Sequence, residues 1–173
     1  VDSSDNITVI GHTDVAADGS NADLFVVKYN SSGTKLWSKQ LGTSSSEYGK
    51  DVASDSSGNI FVTGYTGGGL DGNTNSGSND IFLVKYNSSG TKQWTKQFGT
   101  SSADYGYGVD VDSSDNIYVT GATGGGLDNN TSAGSYDIFL TKFYDNGTKQ
   151  WTKQFGTSSA DHGYGVDVDS SDN

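Results

Sequence analysis

The chain is constrained above all by a repeat. Trp37, Trp94 and Trp151 stand 57 residues apart, and so do Asp23, Asp80 and Asp137, which open "DLFVVKY", "DIFLVKY" and "DIFLTKF". The phrase "GTKQWTKQFGTSSAD" occurs unchanged from Gly90 to Asp104 and from Gly147 to Asp161. "VDSSDN" stands at Val1, Val111 and Val168, with the near copy "SDSSGN" at Ser54. The connection before Asp23 breaks the period, being four residues shorter than its counterparts. Self-similarity at a fixed period means one supersecondary unit per repeat, stacked on copies of itself. The whole of 1–173 reads as a single repeat region, with units at about 1–53, 54–110 and 111–167, and 168–173 beginning a fourth copy.

Each unit carries four extended segments. "YGVDV" (Tyr107 to Val111) alternates, which places Tyr107, Val109 and Val111 on one side. The turn "DSSDN" follows, rich in side chains that bond nearby backbone, and leads into "IYVTG" from Ile117, so a hairpin is expected. After a Gly-rich connection come "DIFLTKF", the turn "YDNGT" and "KQWTKQF". No stretch has helical spacing, and the fold class is all-β. In the third segment Ile81 and Leu83 lie on one side and Phe82, Val84 and Tyr86 on the other, so the sheet must be covered on both faces. Four-stranded antiparallel sheets packed between their own copies are β-propeller blades. The fourth segment carries lysines, a device that protects an exposed sheet edge. Nine of the ten lysines fall in the hairpins of the third and fourth segments, and the outermost strand is where they belong.

These residues resemble a known family. "GYGVDVDSSDNIYVTGATGG…DIFLTKFYDNGTKQWTKQFGT", from Gly106, and "DSSGNIFVTGYT" followed by "DIFLVKYNSSGTKQW" are similar to the SBBP-type repeat of bacterial and archaeal surface propellers. The resemblance covers essentially the whole chain. It implies a propeller on secreted or envelope proteins, without an enzymatic activity and without a set of functional residues to transfer. By analogy with propellers, "YGVDV" is the innermost strand a and the lysine-bearing segment the outermost strand d. The chain then reads b-c-d, a-b-c-d, a-b-c-d, a: three blade equivalents, the first lacking its inner strand and the last inner strand lacking its blade. Propellers carry four to eight blades, so three do not close. The expected partner is another copy, two chains giving six blades or three giving nine, in a closed ring or a filament. A piece of a longer array is the plain alternative.

Composition excludes some partners. The 173 residues carry a net charge of −11, with no Arg, and every acid is Asp apart from Glu47. Nucleic-acid binding, which leans on a basic surface and Arg, is not expected, nor is membrane insertion, since no apolar run approaches a spanning length. The high acidity suits an extracellular or envelope-surface protein. There is no Cys and no Met, the latter as in a mature, trimmed or partial chain, and the N-terminus shows no signal-peptide pattern.

Candidate chemistry is sparse. The only histidines, His12 and His162, do not recur. His162 takes the slot of Tyr48 and Tyr105, as an aromatic filler would, so no nucleophile–base pair is evident and no enzyme is expected. The "GGGLD" stretches at Gly67 and Gly124 lack the helix and Lys-Ser/Thr pair of a phosphate loop, and read as flexible connections between strands b and c. The best chemical lead is "DVDSSD". Asp110, Asp112 and Asp115, with Asp167, Asp169 and Asp172, offer oxygens of the kind Ca²⁺ accepts, although their spacing fits an EF-type loop poorly. Asp112 and Asp115 also suit a plain hairpin turn. Asp110, on an inner strand, would stand in a ring of carboxylates that repel one another unless hydrated or bound to cations. The expected role is a non-enzymatic scaffold or interaction platform that self-assembles by strand complementation. The alternative is a ligand-binding module, lectin-like or adhesive through calcium, using the Tyr- and Asn-rich loops to meet surface glycans or proteins.

Overall fold

The structure is a computed structural model describing residues 1–14 and 21–169. It contains eleven strands in three antiparallel sheets. The first sheet has three strands, β1 (Ile7–Thr13), β2 (Asp23–Tyr29) and β3 (Lys35–Leu41). The second has four in sequence order, β4 (Glu47–Ser54), β5 (Ile60–Thr66), β6 (Asp80–Tyr86) and β7 (Lys92–Phe98). The third repeats it with β8 (Asp104–Val111), β9 (Ile117–Thr123), β10 (Asp137–Phe143) and β11 (Lys149–Phe155). These are the blades anticipated from the repeat, with the lysine-bearing strands β3, β7 and β11 at one sheet edge. Among the described residues no helix is long and apolar enough to cross a membrane.

The turns follow from local chemistry. In each a–b hairpin the first Asp folds back on the backbone: Asp112 accepts from Ser114 N at 3.0 Å and from Asn116 N at 2.8 Å, and Asp2 and Asp55 do the same. The fourth residue of the turn has positive φ, 58° at Asp5, 74° at Gly58 and 62° at Asp115. That region is open to Gly and tolerated by Asp, so "DSSGN" and "DSSDN" are two solutions to one backbone requirement.

The core lies between sheets. Leu24 and Val26 of the first sheet meet Ile60, Val62, Phe82 and Val84 of the second. Phe61, Ile81 and Leu83 on the opposite face meet Val109, Ile117, Val119 and Phe139 of the third. Strand β6 is therefore apolar on both faces because it has a blade on each side. The Gly-rich connections are ordered parts of this core. Leu70 and Leu127 are fully buried, their N–H groups donating to Gln97 Oε1 at 2.8 Å and Gln154 Oε1 at 2.9 Å.

Besides the Gly-rich connections, expected as flexible, two further sequence expectations change. Strict alternation joins Tyr107 to Val109, but a register shift between Gly106 and Gly108 inserts an extra residue. The bulge reverses the phase: Val109 packs in the core while the Tyr107 ring stacks 6.0 Å from Tyr105. The lysines also divide into two groups. Those of β2 and β6 are inside the molecule, Lys28 bonded to Asp2 Oδ2 at 2.7 Å and to Gly58 O of the next blade at 3.3 Å, and Lys85 paired with Asp145 of the next blade.

The described residues after β11, up to 169, form no strand, yet they are seated as the repeat demands. Asp161 N donates to Tyr136 O at 2.8 Å, as Asp104 N does to Asn79 O at 2.8 Å and Glu47 N to Ala22 O at 2.7 Å. Residues 161–169 thus lie where the inner strand of a further blade begins. They do not pair with β1, and the three sheets do not close on themselves.

Candidate functional site

The inner strands are tied to one another by carboxylates. Asp51 of β4 accepts from Val109 N of β8 at 2.9 Å, and Asp110 of β8 accepts from Val168 N at 2.7 Å. The backbone N–H of the following inner strand thus faces the Asp110 carboxylate. A cavity of about 280 Å³ opens beside these strands, with Thr8, Ala53, Asp110 and Asp167 in its wall.

The other candidate ligands are differently placed. Asp112 is buried and accepts from Ser114 N, Asn116 N, Asn116 Nδ2 and Tyr118 Oη, with Lys142 Nζ 3.5 Å away. Burial pushes its carboxyl up, but the hydrogen bonds from Asn116, Tyr118 and Ser114 outweigh that and hold it below the usual range. Asp115 holds the left-handed position of the turn, and burial with the nearby Asp55 and Asp145 charges pushes its carboxyl up. Asp167 and Asp169 are exposed, and Asp172 lies outside the described residues. Among the described residues no group of three or more His, Cys, Asp or Glu side chains is arranged to hold a metal ion.

Sequence reasoning missed a run of aromatic rings. His12 and Tyr48 lie 4.8 Å apart, Tyr48 and Tyr65 5.2 Å, and Tyr65 and Tyr105 4.8 Å, so the run passes from blade to blade. Tyr107 continues it to Tyr164 at 5.4 Å, and Tyr136 to His162 at 5.5 Å. Lys50 Nζ sits over the Tyr65 ring at 5.2 Å, a cation–π contact. Burial and the neighbouring phenols push Tyr107 up to about 12. The signal was present in the sequence as the aromatic second residue of each inner strand, Tyr48, Tyr105 and His162. The bulge that adds Tyr107 to the run was not.

A second arrangement sits at the joints between blades. Trp37 of the first blade lies flat over Gly90 in the c–d turn of the second, where a Cβ would come within 2.8 Å of its ring, and its Nε1 donates to Ser88 O at 3.1 Å. Trp94 covers Gly147 in a looser version, its ring 3.2 Å from where a Cβ would stand, beside Lys96, and it donates to Asp145 O at 3.2 Å. Phe98 of β7 likewise packs on Phe139 and Phe143 of the third blade, at 6.2 and 5.5 Å between centroids. Among the described residues these contacts are missing on the outer faces of the first and third sheets. Phe155 is 58% exposed at one end, and Val9 is 52% exposed at the other.

Comparison with known proteins agrees with this geometry. Residues 36–71 and 93–128 match the family model described as SBBP, β-propeller repeat. Each match runs from an outer strand through the next inner strand to its b strand, and so spans a joint between blades. The regulatory protein FlaEY of Caulobacter vibrioides is 28% identical over 155 residues, covering 81% of this chain and 16% of that protein. The uncharacterized WD repeat-containing protein L264 of Acanthamoeba polyphaga mimivirus is 28% identical over 122 residues, covering 60% of this chain and 9% of that protein. The chain therefore spans less than a fifth of either relative. Repeats, sheets and joints agree: the chain folds as β-propeller blades, and its segments 36–71 and 93–128 match the SBBP β-propeller repeat.

Proposed function

We propose that the chain is a non-enzymatic propeller module, a scaffold or interaction platform outside the cell or on its envelope, and that copies join through their unfinished blades. One observation carries this reading: the faces left uncovered at the two ends bear the same residue types, at the same repeat positions, that pack together inside. An uncovered apolar face of this kind favours association. The acidic surface and the sequence resemblance support the extracellular location. Two chains would supply six blades, within the usual range for a closed ring. Sedimentation and native mass spectrometry test it. A two-chain species at micromolar concentration is expected, and a folded monomer at all concentrations overturns it.

The aromatic run favours a second reading, a platform for surface glycans or proteins. Half-exposed tyrosines present apolar faces with polar tips, the chemistry that stacks on sugar rings. A glycan array with wild type and Tyr164→Ala tests this reading, and equal signals from the two proteins would remove it. Calcium belongs here too, as a ligand of Asp110 and Asp167 at the cavity. A melting temperature unmoved by added Ca²⁺ would dismiss that role.

A further inference from the structure

We infer that the joint between two copies is a completed four-stranded blade with a fixed register, in which residues 161–167 of one copy pair with β1 of the other and Trp151 closes over Gly33. This rests on the self-association proposed above and adds to it the surface, the partner strand and the contact residues. The two internal joints supply the template. Trp37 and Trp94 each cover a turn glycine of the next blade and donate to a carbonyl there. Carried forward by one repeat, Trp151 meets Gly33 of a second copy and donates to Ser31 O. Gly33 has φ +80°, as Gly90 does, and nothing within 4 Å of where its Cβ would be. Trp151 is half-buried and touches Tyr118 of its own blade, with no turn glycine before it. The slot and its filler are both present, and each is empty-handed in the single chain.

The same translation pairs the apolar faces. Phe98 meets Phe139 and Phe143, so Phe155 meets Phe25 and Tyr29 of the second copy. Phe155 is 58% exposed and Phe25 37%, whereas Phe139 and Phe143 are buried. At the inner edge, β8 pairs with β9 through Tyr105↔Ala122, Gly106↔Gly121 and Val109↔Val119. The equivalent pairs across the joint are His162 with His12, Gly163 with Gly11 and Val166 with Val9. The chain's only two histidines thereby become cross-strand neighbours. In the second blade the same pair is Tyr48↔Tyr65, with ring centroids 5.2 Å apart on one face.

The register can be read by cross-linking. The chain has no Cys, so a His12→Cys copy mixed with a His162→Cys copy carries one thiol on each side of the joint. Facing residues of an antiparallel pair are about 4.5–5.5 Å apart at Cα, within disulfide reach. Under mild oxidation the mixture is expected to form a mixed disulfide dimer faster than either variant alone. Sedimentation of Trp151→Ala is run alongside, with self-association weakened on the order of tenfold to a hundredfold expected, as for a central aromatic anchor. If copies associate but the mixture cross-links no faster than the single variants, this joint is wrong while self-association stands. If association is untouched by Trp151→Ala, the Trp slot is likewise wrong. If wild type stays monomeric, both the joint and the reading beneath it fail.

Discussion

The first and second blades carry the same pattern of apolar positions in different company. Ile60, Val62 and Phe82 are fully buried, whereas their counterparts Ile7, Val9 and Phe25 are 41%, 52% and 37% exposed. The strands are equally apolar, and their hairpins use the same Asp-directed turns. What differs is whether a blade lies in front. Burial in a propeller is a property of the neighbour, and a blade at the end of an array keeps a core-grade face in water.

The comparison can be broken in order of size. Phe82→Ala should cost about 3–5 kcal/mol of folding stability, as for a fully enclosed aromatic. Phe25→Ala should cost on the order of 1 kcal/mol in the isolated chain, since its ring has less to lose. Urea titrations of both variants under non-associating conditions decide it, and equal losses would mean that the first blade is already covered. Next comes the buried ion pair inside the first blade, whose lysine also reaches Gly58 O of the second. Lys28 and Asp2 are 1% and 4% exposed at their side chains, and Lys28→Ala leaves a buried carboxylate without its counter-charge, a loss of about 3 kcal/mol. The half-exposed pair of Lys92 with Asp71 should be worth less than about 1 kcal/mol to the same assay.

Smaller is the contrast between turn glycines. Gly33→Ala and Gly90→Ala share the strain of φ +80°, about 1 kcal/mol. Gly90→Ala also drives a methyl into the Trp37 ring, adding about 1–3 kcal/mol of overpacking. Thermal melts would show the excess at Gly90 alone, and in the assembled form Gly33→Ala should acquire it too. The smallest effect is in pH. Burial pushes the Asp2 carboxyl up, but Lys28 and Asn6 outweigh it and hold the group well below its usual range. Its stabilisation is therefore present above about pH 4 and drains away as pH falls. Burial pushes the Asp104 carboxyl up, net of bonds from Thr100 and Thr123. That group favours folding at low pH, and the benefit fades as pH rises through and beyond the ordinary carboxylate range. Melting temperature against pH for Asp2→Asn should flatten the acid limb, and for Asp104→Asn it should flatten the rise in the opposite sense.

Much of the fold was legible because its signals are local. The two-faced apolar pattern of Phe82 and Leu83 requires a sheet covered on both sides, and the spacing of Trp37, Trp94 and Trp151 requires copies. The candidate site was less legible. Asp112 reads as a ligand or as a turn residue, and only its four donors show how fully the turn occupies it. Asp110 reads as a repelling charge until the N–H of Val168 is seen facing it. The Tyr107 bulge escapes a period-two reading because one inserted residue reverses the phase without changing composition.

By itself the sequence determined an all-β chain of repeated blades, since alternation, turn chemistry and period act within a few residues or recur at fixed distance. Only the tertiary structure decided which faces are covered, which lysines go inside and which tryptophan has a slot to fill. Those depend on the angle and spacing between sheets, and identical strands cannot encode their own position in the row.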